Sequence, residues 1–281
     1  MNLQCWMKEI SGDVPLLSLN IPGAHNSAAR LVQLPRRSQC QSLSIEEQLC
    51  IGVRSLDIRV KPKNGRLVLV HAFAKVFSED KSPMDLEEVL SQCLAFLSKN
   101  PSEAVILQFK NDNNRHQEQC FDCFLNTYLK DNETHWYLGN TAPSLQQARG
   151  KIVLVRRCQT DKEIGIDFSS WEEQDEKIPE PLTLNTGKDS FVIQDRYSYK
   201  PEDKWKEVVL PFLDSCSGFG GKYICNFTST AGGIKGPRHN AEYINRRLFN
   251  YPLDKEKYYG TIYLDFADER LTSKIVALNF R

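Results

Sequence analysis

Eight short apolar runs punctuate the chain, and most are separated by segments whose apolar residues recur at helical spacing. The runs lie at residues 16–22, 53–60, 66–71, 104–110, 151–157, 191–194, 222–226 and 261–265. Most are continuous rather than alternating, as in strands covered on both faces. Between them, Ser44 and Glu47 form a capping box at the head of IEEQLC (45–50). Leu86, Val89, Leu90, Leu94 and Leu97 share one helical face that stops before Asn100-Pro101. Further helices are predicted over 114–130, 201–214 and 243–248, and from about Glu269. Strands alternating with helices imply a parallel sheet wrapped by helices. Eight repeats in 281 residues suit one α/β (β/α)8 barrel, which takes ~250 residues, as a single domain over 1–281. One link departs from the scheme: residues 61–65 are too few for a crossover helix, so an irregularity is expected between runs two and three. No composition shift marks a linker, and no internal repeat appears.

Two charges interrupt the second run. Asp57 and Arg59 stand two apart, so on a strand both point to one face. A carboxylate beside a guanidinium there is either a structural ion pair or part of an anion site. The other runs end in similar fashion. His25 and Asn26 follow the first, His71 ends the third, Lys110 the fourth and Arg157 the fifth. Asp195 and Tyr197 follow the sixth, Asn226 ends the seventh and Asp265 the eighth. Each residue alone has a structural explanation, but in a barrel the carboxyl ends of all strands share one rim. Two imidazoles, several carboxylates and several cations at one rim point to general acid–base chemistry on an anion. One imidazole takes a proton, the other gives one, and the guanidinium binds phosphate oxygens. The remaining polar groups suit a polyhydroxylated ring.

Composition narrows the field. Lys plus Arg and Asp plus Glu number 36 each, which leaves no electrostatic case for nucleic acid. Hydrophobic content of 41% and a mean hydropathy of -0.46 describe a soluble globular protein. MNLQCWMKEISGDVPLL lacks the apolar core of a signal peptide, and no stretch approaches ~20 apolar residues. The nine cysteines are odd in number and scattered, which predicts reduced thiols and a cytoplasmic setting. Cys120 and Cys123 lack a second pair at zinc-site spacing and are expected to be small apolar groups on a helix.

The ordered set of motifs resembles bacterial-type phosphatidylinositol-specific phospholipase C. The matching segments are Trp6-Met7, IPGAHNS (21–27), the Gly-Val-Arg-x-Leu-Asp-Ile-Arg stretch (52–59), LVLVH (67–71) and NPSEAVIL (100–107). GKIVL (150–154), IQDRY (193–197), NFTS (226–229) with Gly232-Gly233, and Leu264-Asp265-Phe266 complete them. The resemblance implies a distorted TIM-type barrel that cleaves phosphatidylinositol, and glycosylphosphatidylinositol anchors as a further substrate. The inositol 2-hydroxyl attacks phosphorus, diacylglycerol leaves, and the cyclic phosphate is hydrolysed slowly. It further implies His25 as general base with Asp265 as its carboxylate partner, and His71 as general acid. Arg59 is implied as the phosphate-holding group that replaces calcium, with Asp57 beside it, and Lys110, Arg157, Asp195 and Tyr197 as ring-binding positions. No cofactor or metal is implied; the partner is a membrane holding phosphatidylinositol, met peripherally by a monomer. Two features depart from the pattern. Asn26 stands where bacterial members carry an Asp that assists the general acid, and rim tryptophans are missing, with Phe73, Phe77 and Trp171 as substitutes. Asn26 keeps a second expectation open: a weakly active or inactive barrel that binds inositol phospholipid or a protein partner. A metal-dependent glycerophosphodiesterase is disfavoured, since Ser55 stands where that chemistry needs an acid.

Overall fold

The computed structural model describes residues 1–112, 117–130, 132–172 and 181–280. Twelve strands form one sheet among these residues: β1 (Ile21–Ala24), β2 (Ser55–Lys63), β3 (Arg66–His71), β4 (Ala74–Lys75), β5 (Val105–Asn111), β6 (Trp136–Tyr137), β7 (Ile152–Arg156), β8 (Ile166–Asp167), β9 (Leu182–Thr186), β10 (Asp189–Gln194), β11 (Tyr223–Phe227) and β12 (Thr261–Leu264). Their order is β6-β7-β5-β2-β1-β12-β11-β10-β9, with β3, β4 and β8 branching off. Every neighbouring pair from β6 to β10 is parallel. This is the distorted α/β barrel expected, left open among the described residues between β6 and β9.

Alternation along the parallel strands sorts side chains into two cores. Leu56, Ile58, Leu107, Phe109, Leu154 and Leu264 face the helices. Ile106, Val153, Val155, Ile193, Phe227 and Tyr263 fill the other side, closed at the bottom by Leu3, Trp6, Met7, Leu16 and Leu17. Asp57 and Arg59 alternate with Leu56 and Ile58, so they rise on the inner face, beside Gln108 and Lys110 of β5. Tyr263 anchors the floor: its hydroxyl meets Ser55 Oγ and Gln108 Nε2, both at 2.7 Å. Its ring stacks on Phe227 at 4.1 Å. Gly23 is needed opposite, where a Cβ would lie 2.7 Å from the Tyr263 ring.

Three expectations are corrected. The third run is not a parallel barrel strand. Asn64 and Gly65 both adopt positive φ (51° and 74°), the geometry of a tight hairpin turn, and β3 returns antiparallel to β2 with Leu69 opposite Val60. The first strand is later and shorter than 16–22, because Leu16–Ser18 form a 3-10 turn closed by Ser18 Oγ donating to Pro15 O. The helix expected at 243–248 is longer, Pro237–Asn250, with Pro237 at its first turn where a missing N–H costs nothing.

The helix over 201–214 is divided. A π-helical turn, Lys204–Val209, precedes Leu210–Ser215; Pro211 lacks the N–H of a regular ladder, which accounts for the widened turn. Of the helix expected over 114–130, residues 117–124 are helical and 125–129 form a π turn, while 113–116 lie outside the described residues. Cys120 is buried on that helix and Cys123 half-buried. Helix Leu86–Lys99 starts at Asp85, whose side chain accepts from Glu87 N, and ends as expected at Asn100.

Arg54, in the middle of the Gly-Val-Arg motif, ties the bottom together. It is wholly buried against Glu103, with Nε and Nη2 at 3.0 and 2.9 Å from Oε2. Its other hydrogen bonds go to the carbonyls of Leu49, Val53, Leu3 and Gln4. The same Glu103 oxygen accepts from Met7 N.

Candidate active site

The chain leaves β1 through Ala24 and turns at once. Asn26 takes a left-handed φ of 42°, a conformation Asn tolerates, and its N–H donates to Asp57 Oδ2 at 3.0 Å. Ser27 Oγ donates to Ala24 O and accepts from Asp57 N. Asp57 is therefore fixed from two sides, and Arg59 completes the enclosure with Nε and Nη2 at 3.2 and 3.1 Å from Oδ2. Burial alone would raise the Asp57 carboxyl, but Arg59, His25 and Arg157, with the Asn26 N–H, outweigh it and hold it well below the usual range. Burial acts against the Arg59 cation too, and Asp57, Asp112 and Asp195 overcome it.

His25 follows β1, pinned by its N–H to Leu264 O of β12. Its Nδ1 lies 2.7 Å from Asp265 Oδ1. Pairing with a carboxylate puts the proton on Nδ1 and leaves Nε2 as an acceptor. Two donors meet it there, Asn26 Nδ2 at 2.9 Å and Arg59 Nη2 at 3.2 Å. Asn26 thus serves the expected base directly, where the family pattern led us to expect an effect on the acid. His71 arrives at the end of the returning strand, two residues beyond Leu69, which lies opposite Val60. Its Nδ1 donates to Ser38 O at 2.7 Å, which leaves Nε2 for a ligand. The two imidazoles stand edge to face, 6.2 Å apart. Burial, His25 and Arg59 lower the basicity of His71.

One cavity of about 710 Å³ is lined by His25, Arg59, His71, Lys110, Asp195, Tyr197 and Asp265. Asp57 and Asn26 lie behind it, touching Arg59 and His25. Arg157 lines the adjoining cavity of about 310 Å³, which shares Lys110; its guanidinium lies 3.6 Å from the Trp171 ring centre, a cation–π contact. Asn226 is buried and accepts from Gln194 Nε2 at 2.7 Å, within the scaffold.

Other charged residues line the cavity besides those expected from the sequence, among them Asp112, Arg36 and Arg37. Asp112 lies 3.9 Å from Arg59 Nη1 and 3.6 Å from Lys110 Nζ, and accepts from Ala72 N. Its signal was present, two positions past Lys110 on the same strand face. Arg36 and Arg37 reach the mouth from a single helical turn, Pro35–Ser38, too short to show a periodicity in the sequence. Of the expected rim aromatics only Phe73 is exposed, at 73%. Phe77 is half-buried and Trp171 is buried beneath Arg157.

Residues 13–158, just over half of the chain, match the family described as phosphatidylinositol-specific phospholipase C, X domain. A 1-phosphatidylinositol phosphodiesterase of Listeria monocytogenes is 26% identical, over 98% of this chain and 84% of its own. The structure of the Listeria phosphatidylinositol-specific phospholipase C covers both chains completely, with a TM-score of 0.78 at 24% identity. A structure of the Staphylococcus aureus phosphatidylinositol-specific phospholipase C, concerned with modulation of its membrane binding, gives a TM-score of 0.85 at 21% identity, covering 100% of this chain and 98% of the other. The chain belongs to the phosphatidylinositol-specific phospholipase C X-domain family.

Proposed function

We propose that residues 1–281 form one catalytic domain that cleaves phosphatidylinositol to diacylglycerol and inositol 1,2-cyclic phosphate without a metal, accepting glycosylphosphatidylinositol anchors as a further substrate. The observation that carries this reading is the pair of imidazoles at 6.2 Å, one with its acceptor nitrogen beside Arg59 and the other with Nε2 left for a ligand. His25 Nε2 takes the proton of the inositol 2-hydroxyl as that oxygen attacks phosphorus, and Asp265 stabilises the resulting imidazolium. Arg59 holds the phosphoryl oxygens and meets the charge gained in the transition state. His71 Nε2 delivers a proton to the departing glycerol oxygen. Lys110, Asp195 and Tyr197 bind the ring hydroxyls inside the cavity, and Arg157 borders them. The low basicity of His71 places acid catalysis on the acidic side of neutrality in the free protein, and the bound phosphodiester, an anion, draws the proton on. Arg59, paired with Asp57 at 3.1 Å, occupies the carboxylate that a hard cation would need.

Phe73 and Ile234, at 73% and 101% exposure, and Leu34 and Tyr197, also exposed, lie at or beside segments that border the cavity mouth. With Arg36 and Arg37 alongside, they form the face that meets the membrane, as a monomer on the cytoplasmic side. Among the described residues no helix is long and apolar enough to cross a bilayer. The test is release of soluble inositol phosphate from phosphatidylinositol vesicles with EDTA and with calcium. Cyclic product unaffected by chelator supports the proposal. A folded protein that binds vesicles but releases nothing refutes it and leaves a lipid-binding barrel.

A further inference from the structure

Cys40 has no part in the reaction above, yet it lies in the same cavity. It is 1% exposed, and its Sγ is 3.7 Å from His71 Nδ1. Three chain segments meet here: the end of β1, the loop holding Cys40 and the end of β12. They bring a nitrogen of His25, the Cys40 sulfur and an oxygen of Asp265 within 4.8 Å of one another. One nitrogen, one sulfur and one carboxylate oxygen suit a borderline-soft ion that prefers tetrahedral N/S/O ligation, with the fourth position open to the cavity. Nearby charge does not exclude such an ion. The Arg59 cation is already engaged by Asp57 and Asp112, and Lys110 by Asp112.

We propose that Zn²⁺ binds between Cys40, His25 and Asp265 and switches the enzyme off. Binding forms Zn–S, Zn–N and Zn–O bonds and breaks the S–H bond, whose proton passes to solvent. Either ring nitrogen of His25 gives the same result. A metal on Nε2 occupies the lone pair of the base, and a metal on Nδ1 moves the imidazole proton to Nε2, where no base then remains. A metal on Nδ1 also displaces the Asp265–His25 hydrogen bond. The inhibition rests on the function proposed above; the binding does not.

The binding is tested by titrating Zn²⁺ into the EDTA-treated full chain by calorimetry, and Co²⁺ in parallel, read by its thiolate-to-cobalt absorption in the near ultraviolet. The native protein should bind both and show the thiolate band. Cys40→Ser should weaken Zn²⁺ binding by at least about tenfold, remove the band and raise the Zn²⁺ concentration needed for half-inhibition in proportion. Should Cys40→Ser fail to fold, Cys40→Ala serves as second variant. Zn²⁺ affinity unchanged by the substitution would mean that other cysteines hold the metal, and the proposal falls. It falls equally if the native protein binds neither ion, or if it stays active with Zn²⁺ on Cys40. Binding at Cys40 in a protein inactive even without metal would refute the function proposed above and leave the metal site standing.

Discussion

Replacing Asp265 with asparagine tests the base directly. Asp265 is 3% exposed and its oxygen is 2.7 Å from His25 Nδ1, so the change keeps shape and removes charge. Two outcomes bound the effect. If the amide oxygen faces Nδ1, the tautomer survives and only stabilisation of the imidazolium is lost, about 10²-fold in kcat, or roughly 2.7 kcal/mol. If the amide nitrogen faces Nδ1, the proton must move to Nε2 and the base disappears, a loss of about 10⁴-fold, or roughly 5.4 kcal/mol. The surroundings favour the smaller loss. Asn26 Nδ2 and Arg59 Nη2 both point donors at Nε2, and a proton there would face two others. We therefore expect kcat to fall by about 10²–10³ with KM little changed, and thermal stability close to native. The assay is cyclic-product release from phosphatidylinositol in mixed micelles, with unfolding followed in parallel. A loss under tenfold in a folded Asp265→Asn protein would show that His25 does not work as a carboxylate-held base.

His71→Ala should lose about 10³-fold on phosphatidylinositol but far less on an inositol phosphodiester with a nitrophenol leaving group, which needs no proton; equal losses would deny the acid role. Arg54→Met should destabilise the fold by about 3–5 kcal/mol in denaturant titration, because Glu103 is left as an unpaired buried charge. Turnover per folded molecule should be unchanged, and loss of turnover would place Arg54 in the site's machinery. Lys204, buried with Nζ 2.9 Å from Gln194 Oε1, is pushed down to about 7 by burial, although Asp195 and Asp265 pull it up. The unfolded chain holds that proton to its ordinary value of 10.5 while the folded one has released it, so this group adds stability as pH rises from about 7 to 10.5. Lys204→Met should flatten the pH slope in that window, and an unaltered slope would refute the assignment.

Much of this fold is legible along the chain because parallel strands buried on both faces leave an unmistakable mark. The runs at 104–110, 151–157 and 261–265 stand within a residue or two of β5, β7 and β12. The third run carries the same mark for a different reason. β3 packs Leu67 and Leu69 into the core as firmly as any barrel strand, and apolarity does not record strand direction. The direction was written in Lys63-Asn64-Gly65, a hairpin signal, and in a link too short for a crossover. Leu16 and Leu17 carry the apolarity of a strand for another reason: they are buried as the floor plug under the sheet.

The site divides along the same line. Side chains whose position follows from strand parity were found: Asp57, Arg59, Lys110 and Asp265 face inward because their neighbours face the helices. Asp112, one residue past the end of β5 at Asn111, keeps the parity of Lys110, but the apolar run that marks the strand in the sequence stops before it. Cys40, Arg36 and Arg37 obey no periodic rule. Arg36 and Arg37 lie on the helical turn Pro35–Ser38, and Cys40 on the loop after it, whose path is set by distant partners: Cys40 N donates to Ala29 O, Phe266 N to Cys40 O, and Gln41 Nε2 to the carbonyls of His25 and Leu264. Two of these hydrogen bonds, those to Phe266 and Leu264, join segments more than 200 residues apart and give no local signal. The segment they fix also supplies Ser38 O, which orients His71. Gly236 closes on it from the other side, where a Cβ would stand 2.1 Å from Arg36 O. The strands thus repeat a pattern any barrel could show, whereas the segment that borders the cavity beside them is held by contacts that only the folded chain brings together.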